Sequence, residues 1–130
     1  MEREYIKPPG KPPPPLERWP FSDAVRVGDT LYLAGRLGLD PATGKPPENV
    51  SDEARLMMED LRRVLTRARM TTDDLVMVTV YAPDVRDYAA FNAVYLEYFG
   101  DALPARAFIG SGLLLFGARF EMMATAVKRL

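Results

Sequence analysis

Leu75-Val76-Met77-Val78-Thr79-Val80-Tyr81 is the stretch on which the fold turns. It is almost continuously apolar and rich in β-branched residues, which predicts a strand buried on both faces. Helical patterns flank it. Upstream, Ala54, Met57, Met58, Leu61, Val64, Leu65 and Ala68 recur at helical spacing behind Ser51, the expected N-cap. Asp52 and Glu53 open that helix and Arg63, Arg67 and Arg69 close it, in accord with the helix dipole. Downstream, a second helix is expected to start at or beside Asp84 and to end at Gly100, a natural residue for leaving a helix.

Further out, the pattern changes from helix to strand. Ala24-Val25-Arg26-Val27 and Thr30-Leu31-Tyr32-Leu33-Ala34-Gly35 alternate around Gly28-Asp29 and read as two strands joined by a tight turn. Residues 39–49 form a loop with Asp40-Pro41-Ala42-Thr43-Gly44 as its turn. Ala105–Gly110 and Arg119–Lys128 read as two more strands, joined by an apolar, glycine-punctuated connection. The order β-β-α-β-α-β-β is that of an α+β domain, with two helices on one face of a mixed sheet. Its other face is also apolar, so the chain is expected to self-associate.

Residues 1–19 form a separate Pro-rich N-terminal arm ahead of a domain spanning 20–130, with order expected to begin near Phe21. Seven of the 12 prolines lie within residues 1–20, a density that excludes helix and central strand. A stiff arm lying along the surface is favoured over a PxxP ligand for a partner domain.

Composition removes whole classes of chemistry. The 130 residues are one domain's worth, 48% hydrophobic and 27% charged. Lys and Arg number 17 against 18 Asp and Glu, so the net charge of -1 argues against nucleic-acid or membrane partners. Cysteine and histidine are both absent. Disulfides, the usual zinc sites and Ser-His-Asp or Cys-His catalysis are therefore excluded, and a metal would have to be held by carboxylates and carbonyls alone. Proton transfer near neutral pH falls to Asp, Glu, Lys, Tyr or bound water. The opening MEREYIKPPG lacks the apolar run of a signal peptide, so a cytoplasmic location is expected.

Four polar residues interrupt apolar patterns. Arg106 and Glu121 each lie within a predicted strand, and an antiparallel hairpin turning near Leu113-Leu114 would set them opposite one another. Such a pair serves equally as an interfacial ion pair or as a guanidinium fork for a substrate carboxylate beside a proton-handling acid. Asn92 lies on the second helix between Tyr88 and Tyr95, where an inward amide most simply tethers helix to loop. Arg36 follows Ala34-Gly35 and reads as either a surface charge or a second cation at a pocket. Tyr88, Phe91, Tyr95 and Tyr98 recur at helical spacing and read as core.

Pro20-Phe21-Ser22-Asp23-Ala24, Val27 to Gly35, Leu39 to Gly44, Val78 to Tyr81, Phe91 to Tyr95 and Pro104-Ala105-Arg106, in that order, resemble the RidA (YjgF) family. The resemblance runs from about Pro20 to Lys128. It implies a chorismate-mutase-like fold assembled as a homotrimeric barrel, with pockets between subunits. It also implies cofactor-free hydrolysis of 2-imino acids, such as 2-iminobutanoate and 2-iminopropanoate, to 2-keto acids and ammonia. Residue by residue, Arg106 is similar to the family's carboxylate-gripping arginine and Glu121 to the acid that positions water. Gly35 corresponds to the glycine lining the pocket and Asn92 to the nearby asparagine. Phe21 stands where tyrosine is frequent, Ala34 for a serine, Arg36 for a glutamine, Phe108 for a smaller residue and Met123 for a second acid. By this resemblance Phe21, Arg36 and Phe108 shape the substrate pocket. A non-catalytic carboxylate-binding or chaperone-like trimer is the alternative. Ribonuclease activity, reported for some relatives, is disfavoured by the charge and the missing histidine.

Overall fold

The structure, a computed structural model, describes residues 2–129. Its strands are β1 (Arg3–Ile6), β2 (Ala24–Val27), β3 (Thr30–Leu37), β4 (Leu75–Ala82), β5 (Ala105–Gly110) and β6 (Glu121–Val127). Its helices are α1 (Val50–Arg67) and α2 (Tyr88–Tyr95), the latter extended at both ends by short 3-10 turns, Val85–Asp87 and Leu96–Tyr98. One mixed sheet runs β1-β2-β3-β6-β4-β5, and both helices pack on the same face. Gly28, at φ 62°, makes the tight turn between β2 and β3.

Helix α1 starts two residues earlier than its Ser51 signal suggested. Asn49 caps it, its side chain accepting from the Asp52 amide at 3.0 Å. Ser51 lies inside the first turn. The periodic stripe is otherwise as read: Ala54, Met57, Met58, Leu61 and Leu65 are wholly buried against the sheet. On the sheet side they meet Leu31, Val78, Val80, Met122 and Ala126, also fully buried.

Three readings of the sequence are corrected. Order does not begin near Phe21, because Arg3–Ile6 pairs antiparallel with β2, Tyr5 opposite Val25. The prolines begin only at Pro8, so this segment keeps every amide needed to pair at a sheet edge. Strand β4 is buried on one face alone within the chain: Val78, Val80 and Ala82 are covered, whereas Val76 and Met77 are exposed. Finally, β5 and β6 do not form a hairpin. The β4-α2-β5 unit makes β5 parallel to β4, with Arg106 paired to Val78. Strand β6 takes the other edge of β4, antiparallel, with Glu121 paired to Tyr81. The long connection after Gly110 lets the chain step over β4 instead of turning back.

The uncovered face carries Tyr32, Met77 and Met123, each 38–54% exposed. It is the apolar sheet face expected to want a partner.

Candidate functional site

Arg106 sits on edge strand β5, in register with Val78, and therefore on the helix-bearing face. Its guanidinium carbon lies 4.7 Å from the ring centre of Tyr95, 5.6 Å from Tyr88, 5.7 Å from Phe91 and 5.8 Å from Phe108. Four aromatic faces around one cation stabilise its charge without neutralising it. Among the described residues Arg106 has no carboxylate partner. A half-buried arginine with no counter-charge in its own fold has a guanidinium fork whose geometry suits a carboxylate.

The same corner holds two further unsatisfied groups. Asn92 Oδ1 and the Tyr95 hydroxyl are buried and have no hydrogen-bond partner among the described residues. Asn92 is thus not the helix-to-loop tether expected of it. It is one turn before Tyr95 on α2, with its acceptor free. Burial pushes the Tyr95 hydroxyl up to about 12, against the opposing pull of Arg106, so it is a neutral phenol at neutral pH.

Glu121 lies elsewhere. It opens β6 next to the fully buried Met122, so its side chain falls on the uncovered face of the sheet. Its carboxylate packs on the α-carbon of Gly35: a Cβ there would run into Glu121 Oε2 and lie 3.2 Å from Cδ. Any side chain at position 35 would therefore displace the Glu121 carboxylate from where it lies. The break in β3–β6 register between Leu33 and Arg36 falls at this point. Strand β4 separates Glu121 from Arg106, their partners Tyr81 and Val78 are three residues apart, and the two side chains occupy opposite faces. The structure does not bring them together within one chain.

The remaining pocket residues divide between these two sites. Phe108 belongs with Arg106, its ring edge-on to Tyr88 at 5.0 Å and joined to the core through Phe91 and Phe120. Phe21, half exposed, belongs with Gly35, and both border a cavity of about 550 Å³. Arg36 borders the same cavity but is not a free cation. Its Nη1 donates to Asp23 at 3.0 Å and its Nε to Asp60 at 2.7 Å. Burial opposes its charge, yet Asp60 and Asp23 outweigh that and raise its pKa. The aromatic enclosure of Arg106 was not read from the sequence, where Tyr88, Phe91 and Tyr95 were assigned to the core. Phe91 is wholly buried, but Tyr88 is 48% exposed and faces the arginine. The parallel β4-α2-β5 unit, which lays α2 against β5, was the missing signal.

Among the described residues no cluster of His, Cys, Asp or Glu suits a metal ion. Among the same residues no helix is long and apolar enough to cross a membrane.

Residues 14–128 match the family model described as Endoribonuclease L-PSP. A RutC family protein of Pyrococcus horikoshii is 36% identical over 110 residues, covering 84% of this chain and 87% of that protein. The 2-iminobutanoate/2-iminopropanoate deaminase of Capra hircus is 38% identical over 110 residues, 84% of this chain and 80% of its own length. Among solved structures, E. coli TdcF with bound serine superposes with a TM-score of 0.84 at 26% identity, covering 97% of this chain and 99% of that one.

Proposed function

The chain belongs to the Endoribonuclease L-PSP family, the RidA (YjgF) proteins, and from that premise we propose that it hydrolyses 2-imino acids to 2-keto acids and ammonia. The observation that carries the reading is Arg106, a guanidinium held by four rings and left without a carboxylate among the described residues. It would take the substrate carboxylate bidentately, which fixes the C=N carbon in one orientation. Glu121, held on the Gly35 backbone, would take a proton from water as the water oxygen adds to that carbon. That proton passes to the nitrogen to give a carbinolamine. Glu121 then takes the hydroxyl proton and hands it to the departing amine as the C–N bond breaks and the C=O bond forms. Ammonia leaves carrying both of the water's hydrogens beside the imine's own. No external oxidant or reductant enters this balance.

Since Arg106 and Glu121 face away from each other in one chain, the reading requires two chains. Arg106, Asn92 and Phe108 of one copy would meet Glu121, Gly35 and Phe21 of the next, in a homotrimer built on the uncovered sheet face. Names borne by relatives support deamination, as does a solved relative containing serine, an α-amino acid. Cleavage of RNA has against it a net charge of -1 and the lack of any histidine.

The test is semicarbazide competition. An amino-acid oxidase generates the imine in situ, semicarbazide traps it, and a deaminase diverts it to keto acid. Slower semicarbazone formation in proportion to added protein is the expected result. Unchanged trapping by a protein that still binds pyruvate refutes catalysis and leaves a carboxylate-binding module.

A further inference from the structure

The Pro-rich segment between β1 and β2 is a loop closed at its base. The Asp23 amide donates to the Ile6 carbonyl at 2.8 Å, so the chain leaves the sheet and rejoins it at one point. Within the loop the Leu16 amide donates to the Pro13 carbonyl at 3.1 Å, and the Trp19 indole N–H donates to the Gly10 carbonyl at 3.1 Å. Arg67 of α1 donates to the Lys7 carbonyl and ties the loop to the domain. Compact loops closed in this way frequently carry function. Of this one, the deaminase reading uses Phe21 alone.

The loop shapes a cleft of about 870 Å³ whose lining comes entirely from residues 7–22. Pro8, Pro12, Trp19, Pro20 and Phe21 give it apolar walls. Proline has a fixed φ and no N–H, so such walls lose little freedom when a ligand arrives. Trp19 has spent its one donor on Gly10, and Phe21, tilted 55° to it at 5.8 Å, is 51% exposed. What the two rings offer is apolar surface suited to a flat body. The polar side chains of the lining are Lys7, Arg18 and Ser22, with no acid among them. Neither cation forms an ion pair among the described residues, whereas Arg36, Arg67 and Arg119 all do. In a protein of net charge -1, two unopposed cations beside aromatic rings are a local bias towards an anion.

We infer that this loop forms a binding site for a small aromatic anion, a planar ring bearing a carboxylate or a phosphate group. The ring packs on Trp19, Phe21 and the prolines, and the anionic group meets Lys7 and Arg18. The site is separate from Arg106. That residue lies on β5 at one edge of the sheet, whereas the loop joins β1 to β2 at the other. The inference therefore does not depend on the deaminase reading.

Trp19 is the only tryptophan, so its fluorescence reports on this cleft. The experiment titrates the full chain with phenylacetate and with phenyl phosphate. Benzyl alcohol supplies the ring without the charge, and acetate and inorganic phosphate supply the charge without the ring. The Trp19 signal should saturate with at least one aromatic anion, at a Kd about 10-fold or more below those of the three controls. Whichever aromatic anion binds tighter identifies the group preferred. The double substitution Lys7→Glu, Arg18→Glu should weaken that binding by about 10-fold or more. It should leave the melting temperature as in the wild type, since both side chains are exposed. Equal binding of any control overturns the inference, and so does a saturable Trp19 signal that survives the double substitution. A signal abolished by Arg106→Lys places the anion at the other arginine and overturns it as well. If the fluorescence does not respond, calorimetry compares the wild type with the double variant, and no difference between them is likewise a refutation.

Discussion

Arg106→Lys is the sharpest perturbation of the site. The guanidinium lies 4.7–5.8 Å from four ring centres and has no acidic partner among the described residues. A lysine ammonium is still attracted to those rings, so the positive charge stays and no carboxylate is orphaned. What disappears is the planar fork that meets both oxygens of a carboxylate. One charge-assisted hydrogen bond is worth about 1.5–3 kcal/mol, which corresponds to a Kd for pyruvate or 2-ketobutyrate weaker by roughly 10- to 150-fold. Titration calorimetry measures this, with thermal unfolding and light scattering run on the same preparation. Assembly should survive, because lysine keeps the positive charge that Arg106 would bring to the subunit contact. Binding unchanged within twofold, or assembly lost while binding persists, refutes the carboxylate clamp.

Glu121→Gln keeps shape but removes the base, so kcat should fall about 10²-fold or more while keto-acid affinity in calorimetry stays as in the wild type. Gly35→Ala pushes a methyl group into the Glu121 carboxylate; steady-state kinetics should show a loss in kcat of about 10²-fold and a smaller change in KM. Burial raises Tyr95 to about 12, and burial followed by the Glu59 hydrogen bond raises Tyr98 likewise. Folded values above the unfolded one mean that this stability is complete below about pH 10 and is lost as pH rises through about 12. Melting temperature should therefore fall across that interval, and less steeply in Tyr95→Phe.

Much of the fold was legible because the side-chain periods are unambiguous. The α1 stripe has one buried face over eighteen residues, and Val25-Arg26-Val27-Gly28-Asp29 announces its own turn. Long-range pairing was not legible. A hairpin and a crossover give β5 and β6 the same alternation, so only the tertiary structure shows that β4 lies between them. That error carried into the site, since it set Arg106 opposite Glu121. Arg36 illustrates a second limit: its partners Asp23 and Asp60 are 13 and 24 residues away, and nothing local reveals that its charge is spent. Arg106, Glu121, Gly35 and Asn92 stand out in the sequence because each breaks an apolar pattern or lies in a family motif. Tyr95 and Tyr88 were not, because an aromatic residue at helical spacing has the same signature whether it fills a core or encloses a cation.

The placement of Arg106 and Glu121 on opposite faces makes the requirement for two chains testable without solving a complex. The wild type should scatter light as a trimer at micromolar concentration, since the sheet face bearing Tyr32, Met77 and Met123 is otherwise left in water. Arg106→Lys and Glu121→Gln are each expected to be nearly inactive alone. If every site takes its arginine from one copy and its glutamate from the next, co-refolding equal amounts regenerates intact pairs. In a random mixture about a quarter of sites receive both native residues, so activity should return to about a quarter of the wild-type value. Mixing without refolding should restore little until subunits exchange. A site contained within one chain has no such route, because every copy in the mixture carries one lesion. Persistent inactivity of a co-refolded mixture that scatters as trimer would therefore rule out the shared site and leave Arg106 and Glu121 with separate roles.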